Sequence, residues 1–358
     1  MKILDRYILG EFLKSVGLGL VAFLSIFSIV DIFEKMDVFI DNHSRLVDIA
    51  LYFFYKLPYL LALVLPVALL LAALLSLGQL QRHNELAAMT TSGVSLVRIL
   101  RPVFLASAVF SILSFAFTET ILPTANTRRE EIYAQKIRKR KRPAGQSQTN
   151  LSYLGHGGRI YLARFYDAPR QRLRDLVVQE FDGNTIEKRL DAREAEWDGN
   201  TWLLRNGYLR VFSEEGETVV PFRSYGDSRI AETPDDFAKR DRDPLNMTLG
   251  ELRRYIERVR ESGGRAQKYL VEAHLKVSFP FINLIIVLVG TSVGVRIRKS
   301  HRAVGLGLSL AIAFSYYGFL RVGQALGHNG TLPPMLAAWI GNLVFLAIGG
   351  FLLWRANR

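Results

Sequence analysis

Long apolar runs without charged residues dominate two blocks of the sequence, one near its start and one near its end. Five runs measure 25, 19, 18, 17 and 16 residues, and a sixth of 33 is interrupted early by a polar turn and two prolines. A helix needs about 20 apolar residues to cross the hydrocarbon core, and fewer when its ends reach the interface. The pattern predicts six membrane-spanning helices, at about 15–33, 57–80, 102–122, 274–295, 303–321 and 335–354.

Between the third and fourth runs, the pattern changes to short segments rich in β-branched and aromatic residues. Gly-containing turns of the kind typical of β-hairpins separate them, at Asp182-Gly183-Asn184, Asp198-Gly199-Asn200 and Glu215-Gly216. Strands of this length form a small sandwich or roll. The strand-like segments are 160–165, 176–181, 202–204 and 208–212.

A helix is predicted after this β region, because Thr248 and Glu251 have the spacing of a capping box and Leu252 and Ile256 begin an apolar stripe. The chain is therefore expected to divide into three parts. They are an N-terminal transmembrane half at 1–122 with a short cytoplasmic helix at about 81–93, an extracytoplasmic β domain at 123–247, and a connecting helix with the C-terminal transmembrane half at 248–358.

The Lys and Arg residues of the short loops set the orientation of the spans, because basic loops stay in the cytoplasm. Loops and termini on one side carry twelve of these residues, and those on the other side carry four. Both termini are therefore expected in the cytoplasm, with the region from about 123 to 270 outside. We assign the net charge of +13 to this bias and expect no nucleic-acid partner. The segment 136–142 departs from the bias, with six bases in seven positions on the outer side.

The sequence lacks the patterns of common catalytic and metal sites. Cysteine is absent, which excludes disulfides and thiolate metal ligands. The six histidines have no metal-ligand spacing, and neither a Gly-x-x-x-x-Gly-Lys-Ser/Thr loop for nucleotide phosphates nor a Gly-x-Ser-x-Gly motif occurs. We therefore expect no catalytic residue, no metal site and no ATP site in this chain.

The short cytoplasmic helix between the second and third spans has an amphipathic pattern. Leu86 and Met89 are expected to share a helical face with Leu80, and Ser92-Gly93 ends the helix before the third span. On this pattern alone two interpretations stay open. The segment is either an interfacial connector or a transverse helix by which a membrane subunit docks on a soluble ATPase.

Several short motifs lie in order along the chain. They are Leu4-Asp5-Arg6-Tyr7 before the first span, Leu65-Pro66 within the second, Asn84-Glu85-Leu86-x-x-Met89-x-x-Ser92-Gly93 after it, Leu122-Pro123-x-x-Asn126 after the third and Leu332-Pro333-Pro334 before the sixth. Together with six spans and a β domain after the third, they resemble the lipopolysaccharide-export permeases of the LptF/LptG family over nearly the whole chain. Asp5-Arg6-Tyr7 and Met89 resemble the LptG half more closely.

The resemblance implies a membrane α-helical fold of six transmembrane helices with an inserted extracytoplasmic all-β, jellyroll-like domain. It also implies a permease subunit of an ABC-type transporter, which extracts lipopolysaccharide from the outer leaflet of the bacterial inner membrane and passes it to a periplasmic β-jellyroll bridge. The implied partners are an LptF-like second permease half, a cytoplasmic LptB-like ATPase dimer that uses ATP-Mg, and a single-span LptC-like β-jellyroll protein. This chain itself is expected to bind no cofactor and to hold its β domain in the periplasm.

For the substrate, the resemblance implies cations at headgroup height and apolar walls, since lipopolysaccharide carries phosphates and acyl chains. Families of this kind use bases near the outer end of the first span, where Lys35 lies among Asp31, Glu34 and Asp37, a departure from the pattern. Each base has an alternative role, in which it reaches the interface without touching substrate. The candidate substrate-binding residues are Lys35, Arg128, Arg129, Phe314, Tyr317 and Arg321.

For docking on the ATPase, the resemblance implies that the short cytoplasmic helix is a coupling helix. Glu85 is the only acid between Lys56 and Arg101, and the family has a carboxylate at this motif position. We therefore expect Glu85 to be the main polar anchor. The candidate coupling residues are Arg82, Glu85, Leu86 and Met89.

Two other functions stay open at the level of sequence. The chain could transmit force in a different ABC assembly without moving lipid, or anchor its β domain in the membrane as a sensor or scaffold. Co-purification of an ATPase and a second six-span chain discriminates between these functions and lipopolysaccharide export.

Overall fold

The computed structural model describes residues 3–138, 147–155, 159–182, 185–213, 216–226, 230, 232–238, 244–261, 266–296 and 302–356. The chain divides into two compact units. We call Met1–Arg138 together with Gln267–Arg358 the membrane unit, and Lys139–Ala266 the β unit.

Six helical segments within the described ranges are long and apolar enough to cross a membrane, which confirms the six predicted spans. The fourth consists of two helices joined by a 3-10 turn at Phe279–Phe281, where Pro280 lacks an amide hydrogen. The fifth is longer than predicted, because it continues for about two turns past Arg321. The segments are α1 (Ile3–Glu34), α3 (Leu46–Arg82), α5 (Leu96–Thr120), α9 with α10 (Gln267–Ser278 and Ile282–Gly294), α11 (Arg302–His328) and α12 (Pro334–Ala356).

Three short helices accompany the first three spans. They are α2 (Met36–Asp41) after α1, α4 (Glu85–Thr91) between α3 and α5, and α6 (Leu122–Ile132) after α5. Pro123 lies in the first turn of α6, a position at which a missing amide hydrogen leaves no helical bond unmade. The motif that follows the third span therefore marks the start of a helix.

The centre of the membrane unit is formed by α3 and α10. α3 is buried mainly over residues 60–80, and α10 is buried along most of its length. Small residues let the helices approach closely. A Cβ atom at Gly290 of α10 would come within 2.7 Å of Leu70 Cδ1, and one at Gly19 of α1 would lie 3.4 Å from Ala68. Membrane helices associate through such packing because lipid chains are as apolar as the side chains. α1 and α11 both pack on α3, and each keeps much of its surface exposed.

Buried hydrogen bonds tie the C-terminal spans to one another. The Tyr316 hydroxyl of α11 donates to Asn342 Oδ1 of α12, whose amide donates to the Ser278 carbonyl at 2.8 Å. Ser278 Oγ in turn donates to the Ala338 carbonyl at 2.8 Å. In hydrocarbon each such bond between helices contributes about 0.6 kcal/mol on average. The network fixes α9, α11 and α12 as one packed group.

The β unit contains one antiparallel sheet whose six strands, in the described part of the chain, follow one another in sequence order. The all-β domain after the third span is thereby confirmed. Within those ranges each strand pairs only with its sequence neighbours, so the connectivity is a meander, without the Greek-key crossings of an eight-stranded jelly roll. The strands are β1 (Gln148–Leu154), β2 (Ile160–Asp167), β3 (Arg172–Asp182), β4 (Thr185–Trp197), β5 (Trp202–Ser213) and β6 (Gly216–Gly226).

The strand predictions are correct for β2 and β3 and incomplete elsewhere. β1, β4 and β6 are not revealed by the sequence pattern. β5 is one continuous strand where the sequence predicts two short runs, because Arg205 and Gly207 keep their pairing with β4 across Asn206, whose φ is 53°. Part of the predicted Asp182-Gly183-Asn184 turn and of the Glu215-Gly216 turn lies outside the described residues.

The core of the β unit gathers around Phe237 of α7 (Pro234–Ala238). Its fully buried ring lies 5.1 Å from the Tyr153 ring, 5.3 Å from Tyr161 and 5.4 Å from Trp202, measured between centroids. The Tyr161 hydroxyl donates to the buried Glu232 carboxylate at 2.5 Å. Burial raises the pKa of the Tyr161 hydroxyl, and the adjacent Glu232 raises it further. Aromatic side chains of the unit itself therefore fill this face of the sheet.

The predicted connecting helix is α8 (Leu249–Glu261), and its capping box is confirmed. The Glu251 amide donates to Thr248 Oγ1 at 3.2 Å, and the Thr248 amide donates to the Glu251 carboxylate at 2.9 Å. Leu252 and Ile256 are buried, as the apolar stripe predicts. α8 is part of the β unit, whereas α6 is part of the membrane unit.

Candidate functional site

The segment between α3 and α5 is a short separate helix rather than one helix from about residue 81. α3 ends at Arg82, and Asn84 then adopts a left-handed backbone with φ of 56° before α4 begins at Glu85. Asparagine tolerates this conformation better than most residues. Gly93, with φ of 85°, follows the end of α4, as predicted. Arg82 is therefore the last residue of α3 and lies outside α4, where the sequence predicts one helix over about 81–93.

The Leu86 and Met89 side chains point from α4 towards α1, α3 and α5. Leu86 is buried and Met89 half-buried, and both pack with Leu80 in the apolar core around α1, α3 and α5. The shared face is confirmed, although its residues come from two helices. Leu86 is thus covered by its own chain. The residues of α4 that stay exposed are Ala87, Ala88, Thr90 and Thr91.

Glu85 lies at the first turn of α4, half-buried against the start of α1. Its carboxylate accepts a hydrogen bond from the Tyr7 hydroxyl at 3.2 Å. Asp5, two residues before Tyr7, forms an ion pair with Arg98 of α5, with 3.2 Å between Asp5 Oδ2 and Arg98 Nη2. These contacts join the first turns of α1, α4 and α5. They also bring together two motifs that are 78 residues apart in sequence.

Lys35 is part of a buried ion cluster at the end of α1. Its Nζ lies 2.7 Å from Asp31 Oδ1, and the Lys56 ammonium group of α3 contacts the same oxygen. The Tyr52 ring centroid is 5.4 Å from Lys35 Nζ and 5.9 Å from Lys56 Nζ. We call Asp31, Lys35, Tyr52 and Lys56 the α1–α3 charge cluster. The sequence pattern indicates Lys35 and Asp31 but not Lys56, which directly precedes the predicted second span.

Arg128 and Arg129 of α6 have different surroundings. Arg128 is exposed and pairs with Glu131 at 3.0 Å. Arg129 is half-buried, with its guanidinium carbon 5.6 Å from the Tyr59 ring of α3 and a nitrogen 3.7 Å from Glu130. Arg129 therefore packs on α3 near the α1–α3 charge cluster, whereas Arg128 points to the surface.

Arg321 lies on an exposed face of α11 and has a neutral partner. Its Nη1 donates to Gln324 Oε1 at 2.9 Å, and the Gln324 amide donates to Glu272 Oε1 of α9 at 2.7 Å. His328 Nε2 lies 2.9 Å from the same Glu272 oxygen. No ion pair of Arg321 occurs among the described residues. We call Glu272, Arg321, Gln324 and His328 the α9–α11 polar cluster, and sequence reasoning found only Arg321.

The two aromatic candidates of α11, Phe314 and Tyr317, differ in how far their side chains are exposed. Phe314 is 73% exposed and lies two helical turns before Arg321 on one stripe of the helix. Tyr317 is half-buried, and its hydroxyl donates to the Leu63 carbonyl of α3 at 2.7 Å. Pro66 lacks the amide hydrogen that would bond the Ala62 carbonyl, so the residue before Leu63 is the one that loses its helical hydrogen bond. Tyr317 therefore joins α11 to α3, while Phe314 and Arg321 share a free surface.

The basic segment 136–142 is described only in its first three residues. Lys136 lies 3.4 Å from Asp48, and the Arg138 guanidinium carbon is 4.9 Å from the Tyr133 ring. Ile137, between them, is buried. Positions 139–142 lie outside the described residues. The described bases of this segment thus contact the membrane unit itself.

Six membrane spans and a β unit inserted after the third define a multi-pass membrane protein with an inserted β domain. Residues 6–355 match the family model described as lipopolysaccharide export system permease LptF/LptG. The chain belongs to this family, and it is a multi-pass inner-membrane protein of the lipopolysaccharide export system.

Curated relatives agree with this assignment. Lipopolysaccharide export system permease protein LptG of Escherichia coli K12 is 20% identical over 368 residues, which cover 99% of each chain. The LptG protein of Haemophilus influenzae Rd is 21% identical over 363 residues, which cover 98% of each. Both carry the LptG name, in agreement with the closer resemblance of Asp5-Arg6-Tyr7 and Met89 to that half of the family.

Proposed function

We propose that this chain is the LptG-like permease half of an ABC-type exporter, which extracts lipopolysaccharide from the outer leaflet of the inner membrane. An LptF-like half pairs with it, and an LptB-like ATPase dimer drives it with ATP-Mg. An LptC-like single-span protein receives the lipid on a periplasmic β bridge. The family match over residues 6–355 carries the proposal.

In this arrangement both termini and α4 face the cytoplasm, and the β unit is periplasmic. The excess of bases in the loops on the side of α4 supports this orientation. The end of α1, the start of α3 and the C-terminal turns of α11 then lie at the outer interface. Headgroups of lipids in the outer leaflet are found at this height.

The substrate contacts follow from the charges and surfaces at these ends. Arg321 offers a guanidinium that pairs with phosphate in a bidentate way, and Phe314 offers an exposed ring for acyl chains. Lys35 and Arg129 bind a second phosphate near α3. Arg128, exposed and paired with Glu131, contributes more weakly. Tyr317 forms the wall between α11 and α3.

The coupling contact is made by the exposed face of α4 with Glu85 at its start. Glu85→Ala is expected to detach the ATPase or to uncouple ATP hydrolysis from export. A hydrogen bond to a charged group contributes about 1.5–3 kcal/mol, and this contribution is lost with the carboxylate. The measurement is the yield of ATPase that co-purifies, followed by ATP hydrolysis and lipid release in the same complex.

Tyr7→Phe is the matched control for this change. It removes the hydrogen bond to Glu85 but leaves the carboxylate in place. Loss of coupling in both variants would assign the effect to the contact with α1. Normal ATPase yield with normal export in Glu85→Ala would contradict the assignment of the anchor.

The function itself is tested with the purified complex in vesicles that contain lipopolysaccharide. We expect the ATPase and a second six-span chain to co-purify, and ATP to release lipid to the β-bridge protein. An assembly that hydrolyses ATP without lipid release would favour a force-transmitting subunit. A chain that purifies without an ATPase would favour a scaffold.

A further inference from the structure

The α1–α3 charge cluster holds two ammonium groups and one carboxylate in a buried position. Asp31 is 7% exposed and Lys56 8%. Both ammonium groups contact Asp31 Oδ1, while Oδ2 has no hydrogen-bond partner among the described residues. Buried charges require compensation because they lose their hydration. Asp31, Lys35 and Lys56 together carry a net charge of +1, which attracts an anion.

The two lysines of the cluster are not equally accessible. The Lys35 side chain is 23% exposed and that of Lys56 is 10% exposed. An anion that arrives from outside the protein therefore meets Lys35 first. If Asp31 had Lys35 as its only partner, the pair would be neutral and would offer a phosphate no net charge. Lys56 supplies Asp31 with a second counter-ion.

We propose that Lys56 is a positioning residue that holds Asp31 and so leaves Lys35 available for a phosphate group of the lipid. This inference rests on the proposed function. On binding, Lys35 Nζ exchanges Asp31 Oδ1 for a phosphate oxygen, and Asp31 keeps Lys56. The Tyr52 ring lies within 6 Å of both ammonium groups and stabilises either arrangement by cation–π attraction.

The experiment varies the net charge of the α1–α3 charge cluster. Lys56→Met gives the cluster a charge of 0, and Asp31→Asn/Lys56→Met returns it to +1 on Lys35. We expect the single variant to capture roughly tenfold less lipopolysaccharide, as for the loss of one charge-assisted hydrogen bond. The double variant is expected to recover wild-type capture. The measurement is lipid bound per assembled complex, from phosphatidylethanolamine vesicles that contain lipopolysaccharide.

A second lipid separates charge from structure. With lipopolysaccharide whose lipid A phosphates have been removed enzymatically, all these variants should capture equal amounts. A double variant that stays as poor as Lys56→Met with the phosphorylated lipid would overturn the proposal. So would a Lys56→Met defect that persists undiminished with the dephosphorylated lipid.

Two further variants separate this inference from the proposed function. Lys35→Met with wild-type capture would remove Lys35 from the substrate site itself. If Lys56→Met does not assemble, Asp31→Asn/Lys56→Met is compared with Asp31→Asn/Lys35→Met, since each keeps one lysine. Capture by the variant that retains only Lys35 supports the proposal. Equal capture by both overturns it, because Lys56 would then reach substrate directly.

Discussion

Two cations that we assign to the substrate, Lys35 and Arg321, have opposite surroundings. Lys35 contacts the Asp31 carboxylate in a buried cluster, and a second lysine shares that carboxylate. Arg321 lies on an exposed helix face and donates to the neutral amide of Gln324. The Glu272 carboxylate is the nearest one in this chain of contacts, and the side-chain amide of Gln324 lies between it and Arg321.

The difference shows two ways to hold a cation in place at a membrane interface. A carboxylate fixes a lysine firmly but cancels its charge, so a second lysine is needed to restore a net positive site. An amide orients a guanidinium without cancelling its charge. Arginine has five N–H donors in a rigid fork, so one hydrogen bond to Gln324 leaves four for a phosphate. Arg321 is therefore the more exposed and less neutralised of the two groups.

The strongest test of this comparison is charge reversal at Arg321. Arg321→Glu replaces attraction with repulsion and is expected to lower lipopolysaccharide capture at least about tenfold, since hydrogen bonds to charged groups contribute about 1.5–3 kcal/mol. Arg321→Lys should reduce capture less, because an ammonium cannot copy the bidentate contact. Capture and export are measured at matched membrane abundance.

Arg45→Glu provides the control, since Arg45 is exposed in the loop before α3 and undergoes the same change of charge. It should leave capture close to wild type. If Arg321→Lys substitutes fully and Arg321→Glu affects only membrane insertion, Arg321 merely anchors α11 at the interface. Arg129 would then be the better candidate.

A subtler change makes the Arg321 site resemble the Lys35 site. Gln324→Glu/Glu272→Gln exchanges the amide and the carboxylate, so the hydrogen bond between α9 and α11 is retained while a carboxylate now faces Arg321. An exposed ion pair is worth about 0.2–1 kcal/mol, so lipid capture should fall roughly two- to fivefold. The double variant is compared with wild type for capture and for thermal stability.

Glu272→Gln alone is the matched control, because it leaves Arg321 beside a neutral side chain. Wild-type capture by the double variant would show that a neighbouring carboxylate does not weaken Arg321. In that case the contrast with Lys35 would have no bearing on substrate binding.

The spans were predictable because a membrane crossing leaves a local signal, about 20 successive apolar residues. The clusters at their ends were not. α3 begins at Leu46, ten residues before Lys56, so this lysine lies inside a helix and not at its flank. Its partner Asp31 is on another helix. Gln324 and Glu272 are likewise 52 residues apart, and no linear pattern marks such a pair.

In the β unit as well, contacts between segments distant in sequence were not predictable from local patterns. β2 and β3 were predictable because aromatic and branched residues line them. β4 buries Leu190, Ala192 and Ala195, and its other positions are rich in charged residues, so its alternation of polar and apolar positions is weak. Its place in the sheet comes from pairing with β3 and β5 on both sides. β4 forms because it pairs with two neighbouring strands, and this pairing is not contained in the local sequence pattern.

The smallest expected effect tests whether the Tyr317 hydroxyl only joins α11 to α3 or also contacts the lipid. Tyr317→Phe removes the hydroxyl that donates to the Leu63 carbonyl but keeps the ring. We expect a loss of about 1 kcal/mol or less in stability and no change in lipid capture, because the hydroxyl is committed to α3 and not to substrate. Tyr316→Phe is the control, since it leaves the buried Asn342 oxygen without its donor and should destabilise the membrane unit more. Thermal unfolding of the assembled complex measures both. A Tyr317→Phe complex of wild-type stability that captures less lipopolysaccharide would place this hydroxyl at the substrate and extend the Arg321 face towards α3.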